Sequence, residues 1–208
     1  MKYSKKNILV SSNMSDLDKQ KYAKAFGDFN LRKTLKQSQF NRNEVHMTAK
    51  IFISSLEEES INVLQAIQVC LAELKTKHLD VLIVSVFPNI EVSSDLFKNI
   101  WQQIEKALKT GLIKEVGVSK FTQKQLTKLL STTNIIPTTN QVQKVSPGLM
   151  EYCKSQKINL TSTGKIDSNI DQYLNRNKKT SYIVRYSSII NNNIMVDQSG
   201  IIISTNQN

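Results

Sequence analysis

The stretch Val81-Leu82-Ile83-Val84 decides the fold, because it is continuously apolar and rich in β-branched residues. A strand with this pattern is buried on both faces, as the strands of parallel sheets are. A helical pattern follows, with N-cap side chains at Ser93, Ser94 and Asp95 and a glycine, Gly111, just past its end. These are typical start and stop signals of a helix. Strand and helix together predict one βαβ unit.

The same alternation continues on both sides of this unit. Short apolar runs predict further strands at residues 51–53, 113–118, 138–143 and 158–162, and Thr122 with Gln125 forms a capping box before another helix. Residues 183–190 have a helical pattern, although their β-branched side chains leave a strand possible. Regular alternation of strands and helices predicts an α/β fold with a parallel sheet.

The length of 208 residues predicts a single domain. A closed barrel of eight strand–helix units typically needs about 250 residues, so we expect a reduced or incomplete parallel (β/α) barrel. Residues 1–49 are polar and irregular, with a possible strand at residues 7–12 and a possible helix at residues 16–26. We therefore predict that the weakest part of the fold is N-terminal.

Composition excludes several classes of protein. Two cysteines, Cys70 and Cys153, and two histidines predict neither a disulfide framework nor a metal site. No apolar run reaches the roughly 20 residues of a membrane span, so a cytoplasmic location is expected and no membrane partner. The net charge of +11 comes from scattered lysines. Without a basic motif, the charge is interpreted mainly as a solvated face, with an acidic protein partner as the next option. For nucleic-acid binding, strong salt dependence would be the signature.

Several segments in order resemble the aldo-keto reductase family. Residues 112–121 contain Gly117-Val118-Ser119-Lys120-Phe121, which is similar to the Gly-Val-Ser-Asn-Phe end of the family's fifth strand. Residues 137–142 resemble its next strand, with an Asn-Gln pair, and residues 79–83 resemble the strand that ends in a catalytic histidine. The resemblance covers roughly residues 50–203 and implies a TIM-like barrel.

The resemblance also implies that reductase chemistry is lost. Active members use a Tyr, Lys, His and Asp set, in which Tyr donates a proton and Lys and His tune it. The lysine position falls on Ser55 or Leu56, and the histidine position falls on Ser85. With Leu56 and Ser85 at these places, we expect no catalytic residues, and hence a pseudoenzyme.

The cofactor positions of the family are retained only in part. Ser119 and Gln141 match residues that hold the nicotinamide carboxamide, whereas Lys120 replaces an asparagine. The sequence Asp197-Gln198-Ser199 stands where the family's phosphate-binding Lys-Ser motif would be, which removes charge-assisted contacts. We expect no cofactor and at most a vestigial site. A role of Ser119 and Gln141 in satisfying backbone groups at strand ends is favoured over a retained nucleotide site.

Within the superfamily, the chain is most similar to the modifier subunits of glutamate–cysteine ligase, through residues 47–53, 183–187 and 200–202. This resemblance implies a non-catalytic regulatory subunit in glutathione biosynthesis. It would form a heterodimer with the ligase's catalytic subunit and raise its use of glutamate. Arg185 and Tyr186 are candidate partner-binding residues, or they pack against the barrel end. The alternative is an NADPH-dependent aldo-keto reductase with a rearranged active site.

Overall fold

The computed structural model describes residues 7–10, 30–32, 41–53, 62–86, 90–163, 165–176, 180–190 and 196–205. The strands are β1 (Asn7–Val10), β2 (Asn30–Arg32), β3 (Val45–Ile53), β4 (Leu79–Val86), β5 (Ile113–Ser119), β6 (Thr139–Val142), β7 (Asn159–Ser162), β8 (Thr180–Ile190) and β9 (Val196–Thr205). The helices are α1 (Val63–Glu73), α2 (Asp95–Lys109), α3 (Gln123–Leu130), α4 (Pro147–Ser155) and α5 (Lys165–Arg176), with a 3-10 turn at Arg42–Glu44. The predicted helix at residues 16–26 lies outside the described residues.

The strands form one sheet in the order β2-β1-β9-β8-β3-β4-β5-β6-β7. Strands β3 to β7 are mutually parallel and are joined by α1 to α4, which confirms the predicted α/β fold with a parallel sheet. Among the described residues the sheet is open, with β2 and β7 at its two ends. This agrees with a reduced barrel rather than a closed one.

The helix predicted at residues 183–190 is wrong, because this segment is strand β8. It runs antiparallel to both β3 and β9 and shares hydrogen-bond ladders with them. Pairing on both sides favours the β-branched side chains of this segment, whose rotamers are restricted in a helix. Strand β7 lies where the sequence predicts a strand, at residues 158–162, but helix α5, which follows it, was not predicted.

Alternation of side chains along each strand divides the sheet into two faces. One face, which we call the helix face, packs against α1 to α4 and holds the main core, including Val84, Ile100 and Trp101. The other, which we call the site face, carries Lys50, and α5 lies against it. Buried residues outside the main core include Phe52, Ile83, Ile170, Leu174, Ile183, Ile201 and Ile203.

Capping side chains begin the helices where the sequence predicts them. Ser94 Oγ accepts a hydrogen bond from the N–H of Phe97, and Thr122 forms the capping box with Gln125. Helix α2 ends at Lys109 and is followed by Gly111, whose φ of 73° lies in the left-handed region that glycine adopts without strain. These local signals explain why the predicted boundaries of α2 and α3 are close to the observed ones.

Helix α4 ends in the same way without a glycine. The N–H of Lys157 donates to the carbonyl of Lys154, and the N–H of Ile158 donates to that of Cys153, which together form a Schellman motif. Lys157 has a φ of 58°. Left-handed backbone is unfavourable for a residue with a Cβ, so this position stores strain.

We expect Lys157→Gly to stabilise the protein by roughly 0.5–1 kcal/mol, because relief of this strain outweighs the added freedom of the unfolded chain. The matched control is Lys154→Gly, which lies within α4 and should destabilise it by about 1 kcal/mol. Urea denaturation of the two variants measures both effects. Equal destabilisation by the two glycines would contradict the assignment of strain to residue 157.

An ionic cluster ties together the amino-terminal ends of β3, β4 and β5. The carboxylate of Asp80 accepts hydrogen bonds from Arg42 Nη2 at 2.7 Å, Lys114 Nζ at 2.9 Å and the N–H of Met47 at 2.8 Å. Burial by itself would raise the pKa of Asp80, but these three donors together lower it to about 2. The cluster therefore favours the charged carboxylate in the folded protein.

Replacement of Asp80 by Asn should destabilise the protein by about 2 kcal/mol at pH 7, the equivalent of this pKa shift. Because the folded-state pKa lies below the unfolded value of 3.8, the stabilisation is present above pH 4. It is lost as the pH falls towards 2, where wild type and D80N should converge. Denaturation curves at pH 7 and pH 2 test this, with the exposed Asp95→Asn as a control that should change little.

None of the described helices combines the length and the apolar character needed to cross a membrane. Both cysteines are buried on helices that pack on the sheet. Burial raises the pKa of Cys70 to about 12, so this thiol is not a nucleophile at neutral pH. The assignment of residues 1–49 as an irregular part of a single domain stays a prediction.

Candidate active site

The site face contains a buried lysine near the carboxyl ends of the parallel strands. Lys50, in β3, is 1% exposed, and its Nζ donates to Ser119 Oγ at 2.6 Å, Gln141 Oε1 at 3.1 Å and Asp167 Oδ2 at 3.0 Å. An ammonium has three N–H donors, so these three acceptors satisfy it completely. The ring of Phe52, two residues along the strand, lies 5.0 Å from the same nitrogen. The charged form of Lys50 is thus fully coordinated inside the protein.

The register of the sheet brings these side chains together. Ser119 is the last residue of β5 and is the direct partner of Gln141 in β6, so both point to the site face. Lys50 reaches them from β3, across β4. Ligand sites of α/β sheets lie at the carboxyl ends of their strands, and this cluster lies at that end.

Asp167 comes from the first turn of α5 and supplies the negative charge. It is 0% exposed, and its Oδ1 lies 3.2 Å from Arg185 Nε in an ion pair without an aligned hydrogen bond. One carboxylate therefore faces two cations. A buried charge needs such partners, because burial of an unpaired charge is strongly unfavourable.

The environment makes Lys50 unusually acidic. The pKa of Lys50 is lowered from 10.5 to about 8 in total; burial is the largest cause, the charge and hydrogen bond of Asp167 oppose it, and the positive charges of Arg185 and Lys120 add to it. A lysine with a pKa of about 8 is mostly protonated at neutral pH and can give up its proton readily. Such a shifted pKa beside a specific carboxylate marks a candidate functional site.

Helix α5 is fastened over the site at two more points. Gln143 donates to Ser168 at 2.8 Å, and the Lys120 ammonium pairs with the Asp171 carboxylate. Lys120, which replaces the family's asparagine, adopts a left-handed φ of 65°. These contacts hold the amino-terminal half of α5 against the ends of β5 and β6.

A cavity of about 480 Å³ adjoins the site through Lys120. Its walls are residues 120–123 and 142–146 together with Leu149, at the carboxyl ends of β5 and β6. A larger depression of about 1340 Å³ is lined by residues of α3 and by residues 90–93, and Lys50 does not line it. We regard the smaller cavity as the approach to the site because two of the residues that line it, Lys120 and Gln143, contact α5.

The positions predicted as lost catalytic residues have separate outcomes. Ser85 is buried on the site face, opposite Phe52 and two residues beyond Ile83, the partner of Lys50. Leu56 lies outside the described residues. Among the described residues, no three His, Cys, Asp or Glu side chains gather as a metal site would require.

Of the two candidate partner-binding residues, Tyr186 lies in the main core and is 2% exposed. Burial raises the pKa of its hydroxyl above the usual value for tyrosine. Arg185 pairs with Asp167. Both residues thus contact other parts of the chain, as the alternative of packing against the barrel end implies. Their binding of a partner stays a prediction.

Sequence reasoning missed Lys50 and Asp167 as site residues. The signal for Lys50 was a lysine within an apolar strand, between Ala49 and Ile51, since a lysine there requires a buried counter-charge. The signal for Asp167 was its place three residues before Ile170 on the apolar side of a helix. Neither signal reveals that the two meet, because they are 117 residues apart in sequence.

Comparison with known sequences places the chain among reductases. The sequence profile of the Aldo/keto reductase family matches residues 22–175. The D-galacturonate reductase of Fragaria ananassa is 30% identical over 139 residues, which are 59% of this chain and 43% of that protein. The NAD/NADP-dependent indole-3-acetaldehyde reductase of Schizosaccharomyces pombe is 33% identical over 126 residues, 57% and 44% of the two chains. The chain spans about half the length of the curated relatives it matches.

Solved structures show the same relationship. The aldo/keto reductase of Brucella melitensis superposes with a TM-score of 0.53 at 25% identity, covering 61% of this chain and 49% of that one. The Bombyx mori aldo-keto reductase, determined in complex with NADP, gives 0.51 at 25% identity, covering 60% and 43%. The fold is therefore the predicted aldo-keto reductase type with a parallel-dominated sheet.

The prediction of a protein without catalytic activity is wrong. It followed from the absence of lysine and histidine at Leu56 and Ser85, but the similar proteins are catalytic reductases. A lysine–aspartate pair is present in the structure, and its lysine is Lys50 of β3. The profile match extends over more than half of the sequence, and the chain belongs to the aldo/keto reductase family.

Proposed function

We propose that this chain carries out NADPH-dependent reduction of a carbonyl compound at a rearranged site centred on Lys50. The observation that carries the proposal is the buried pair of Lys50 and Asp167 beside Ser119 and Gln141. The reductases that the chain resembles support the reaction type. The matched part is less than half of these relatives, so both the reaction and its substrate class belong to the proposal.

The donor set can be tested against a nicotinamide carboxamide. Ser119 Oγ and Gln141 Oε1 both accept hydrogen bonds from one nitrogen, Lys50 Nζ, at 2.6 and 3.1 Å. A carboxamide NH₂ is also a single nitrogen with two donors, so the two acceptors fit it once Lys50 releases them. Ser119 and Gln141 would then hold the cofactor, which supplies the hydride when bound.

Release by Ser119 and Gln141 would leave Lys50 with Asp167 as its remaining partner. The two freed N–H groups could then reach a carbonyl oxygen and donate the proton that must accompany hydride transfer. An acid whose pKa of about 8 lies near the working pH suits this task. In this scheme Asp167 keeps Lys50 in place, and the product is an alcohol.

The proposal predicts carbonyl-dependent oxidation of NADPH that declines as the pH rises through 8, where Lys50 loses its proton. Absorbance at the nicotinamide band, with aldehydes, ketones and quinones as substrates, measures the rate. Mass spectrometry should find one alcohol for each NADPH oxidised. No carbonyl-dependent oxidation with any substrate class would contradict the proposal.

The catalytic subunit of glutamate–cysteine ligase stays a predicted partner. Its only support is the resemblance of residues 47–53, 183–187 and 200–202. Co-purification of that subunit with the chain is the direct test, and it is independent of the reductase assay.

A further inference from the structure

The sheet places two cations side by side. Strands β3 and β8 pair antiparallel with Lys50 directly opposite Arg185, and both side chains point to the site face. Like charges in directly opposed positions repel each other and destabilise a sheet. The pairing is tolerated because Asp167 enters between them from α5.

Asp167 cannot serve both cations in full. Its Oδ2 accepts from Lys50 Nζ at 3.0 Å, and its Oδ1 lies 3.2 Å from Arg185 Nε. A guanidinium keeps its charge in proteins, whereas an ammonium can release a proton. Of the two cations, only Lys50 can respond to the shared charge by releasing a proton.

Other charged groups face Lys50 less directly. Lys120, after β5, also opposes the charge on Lys50, but the Asp171 carboxylate on α5 pairs with Lys120 and partly neutralises it. Among the described residues, Asp167 is the one carboxylate that pairs with Arg185. Its charge is therefore the less compensated of the two that oppose Lys50.

We infer that Arg185 is a positioning residue of the site, which shares the carboxylate of Asp167 and so limits how firmly that carboxylate holds the proton of Lys50. The inference rests on the proposed reduction, because it is the acid of that reaction whose proton is made available. Arg185 also fixes the carboxylate by one oxygen, which leaves the other directed at Lys50.

The test is the titration of Lys50 itself, followed by carbon-13 NMR of its Cε in wild type and in Arg185→Gln. Loss of the opposing charge should raise the pKa of Lys50 by about one unit, as removal of a close like charge does. The high-pH limb of the reductase rate should move upwards by the same amount. Arg185→Lys keeps the charge and should restore the wild-type titration.

Arg42→Gln is the matched control, because it also removes an arginine paired with a buried aspartate. This pair lies at the amino-terminal ends of β3 to β5, away from Lys50. It should leave the titration of Lys50 unchanged. An unchanged pKa of Lys50 in folded R185Q, or an equal shift in R42Q, would overturn the inference. A wild-type chain without reductase activity would reject the proposed function instead, while the NMR comparison would still decide the role of Arg185.

Discussion

Replacement of Lys50 by Met should lower kcat/KM for carbonyl reduction by at least about 100-fold, the range over which a general acid acts. Methionine has a similar length and suits the apolar surroundings of Phe52 and Ile83, so it removes the proton donor with little change in packing. Asp167 keeps its ion pair with Arg185 in the variant. The rate that remains should no longer fall as the pH rises through 8.

The control is Lys114→Met, which also removes a strand lysine that pairs with an aspartate, at the far end of β5. It should retain the wild-type rate. Circular dichroism establishes that both variants fold. Undiminished reduction by folded K50M would show that Lys50 is a structural ion-pair residue and not the acid.

The largest stability effect is expected for Asp167→Asn. Loss of one partner from a buried ion pair costs about 3–5 kcal/mol, because the remaining charge is left without compensation. In this variant the Lys50 ammonium would lie between Arg185 and an uncharged amide. Urea denaturation at pH 7 measures the loss.

The sign of the pH dependence follows from the pKa of Lys50. Folding lowers this pKa from 10.5 to about 8, so burial of the ammonium opposes folding below pH 8. Between pH 8 and pH 10.5 the unfolded state binds more protons than the folded state. The free energy of unfolding therefore increases as the pH rises through this range. The loss caused by D167N should accordingly be smaller at pH 10 than at pH 7.

Asp171→Asn provides the comparison on the same helix. Asp171 pairs with Lys120, and both side chains are about one third exposed. Such partly solvated pairs contribute roughly 0–1 kcal/mol. The double variant K50M/D167N should recover much of the stability lost in D167N, and a double variant as unstable as D167N would contradict the ion-pair explanation.

Local patterns predicted the elements whose signals lie within a few residues of each other. The cap at Ser94, the capping box at Thr122 and the terminal Gly111 each act through a neighbouring backbone group, and all three have the predicted role. The β8 strand was ambiguous for the opposite reason. Its conformation depends on pairing with β3 and β9, and no local feature of residues 183–190 specifies those partners.

The site was predictable only in part. Ser119 and Gln141 were named because they follow recognisable strand motifs, and they do meet. Their contact with Lys50 was not predicted, because the predicted strand covers residues 51–53 and residue 50 has only the resemblance of residues 47–53 as its signal. We predicted a loss of chemistry because lysine and histidine are absent at Leu56 and Ser85. That prediction did not consider a lysine at a different position in the sequence.

The long separation of Lys50 and Asp167, 117 residues, has a consequence for how the chain folds. Contacts between distant segments form late, because a large loop must close first. During synthesis, β3 to β7 emerge from the ribosome before α5, so the nascent sheet holds a lysine whose counter-charge has not yet been made. We expect this intermediate to keep Lys50 solvated and the site open until α5 docks.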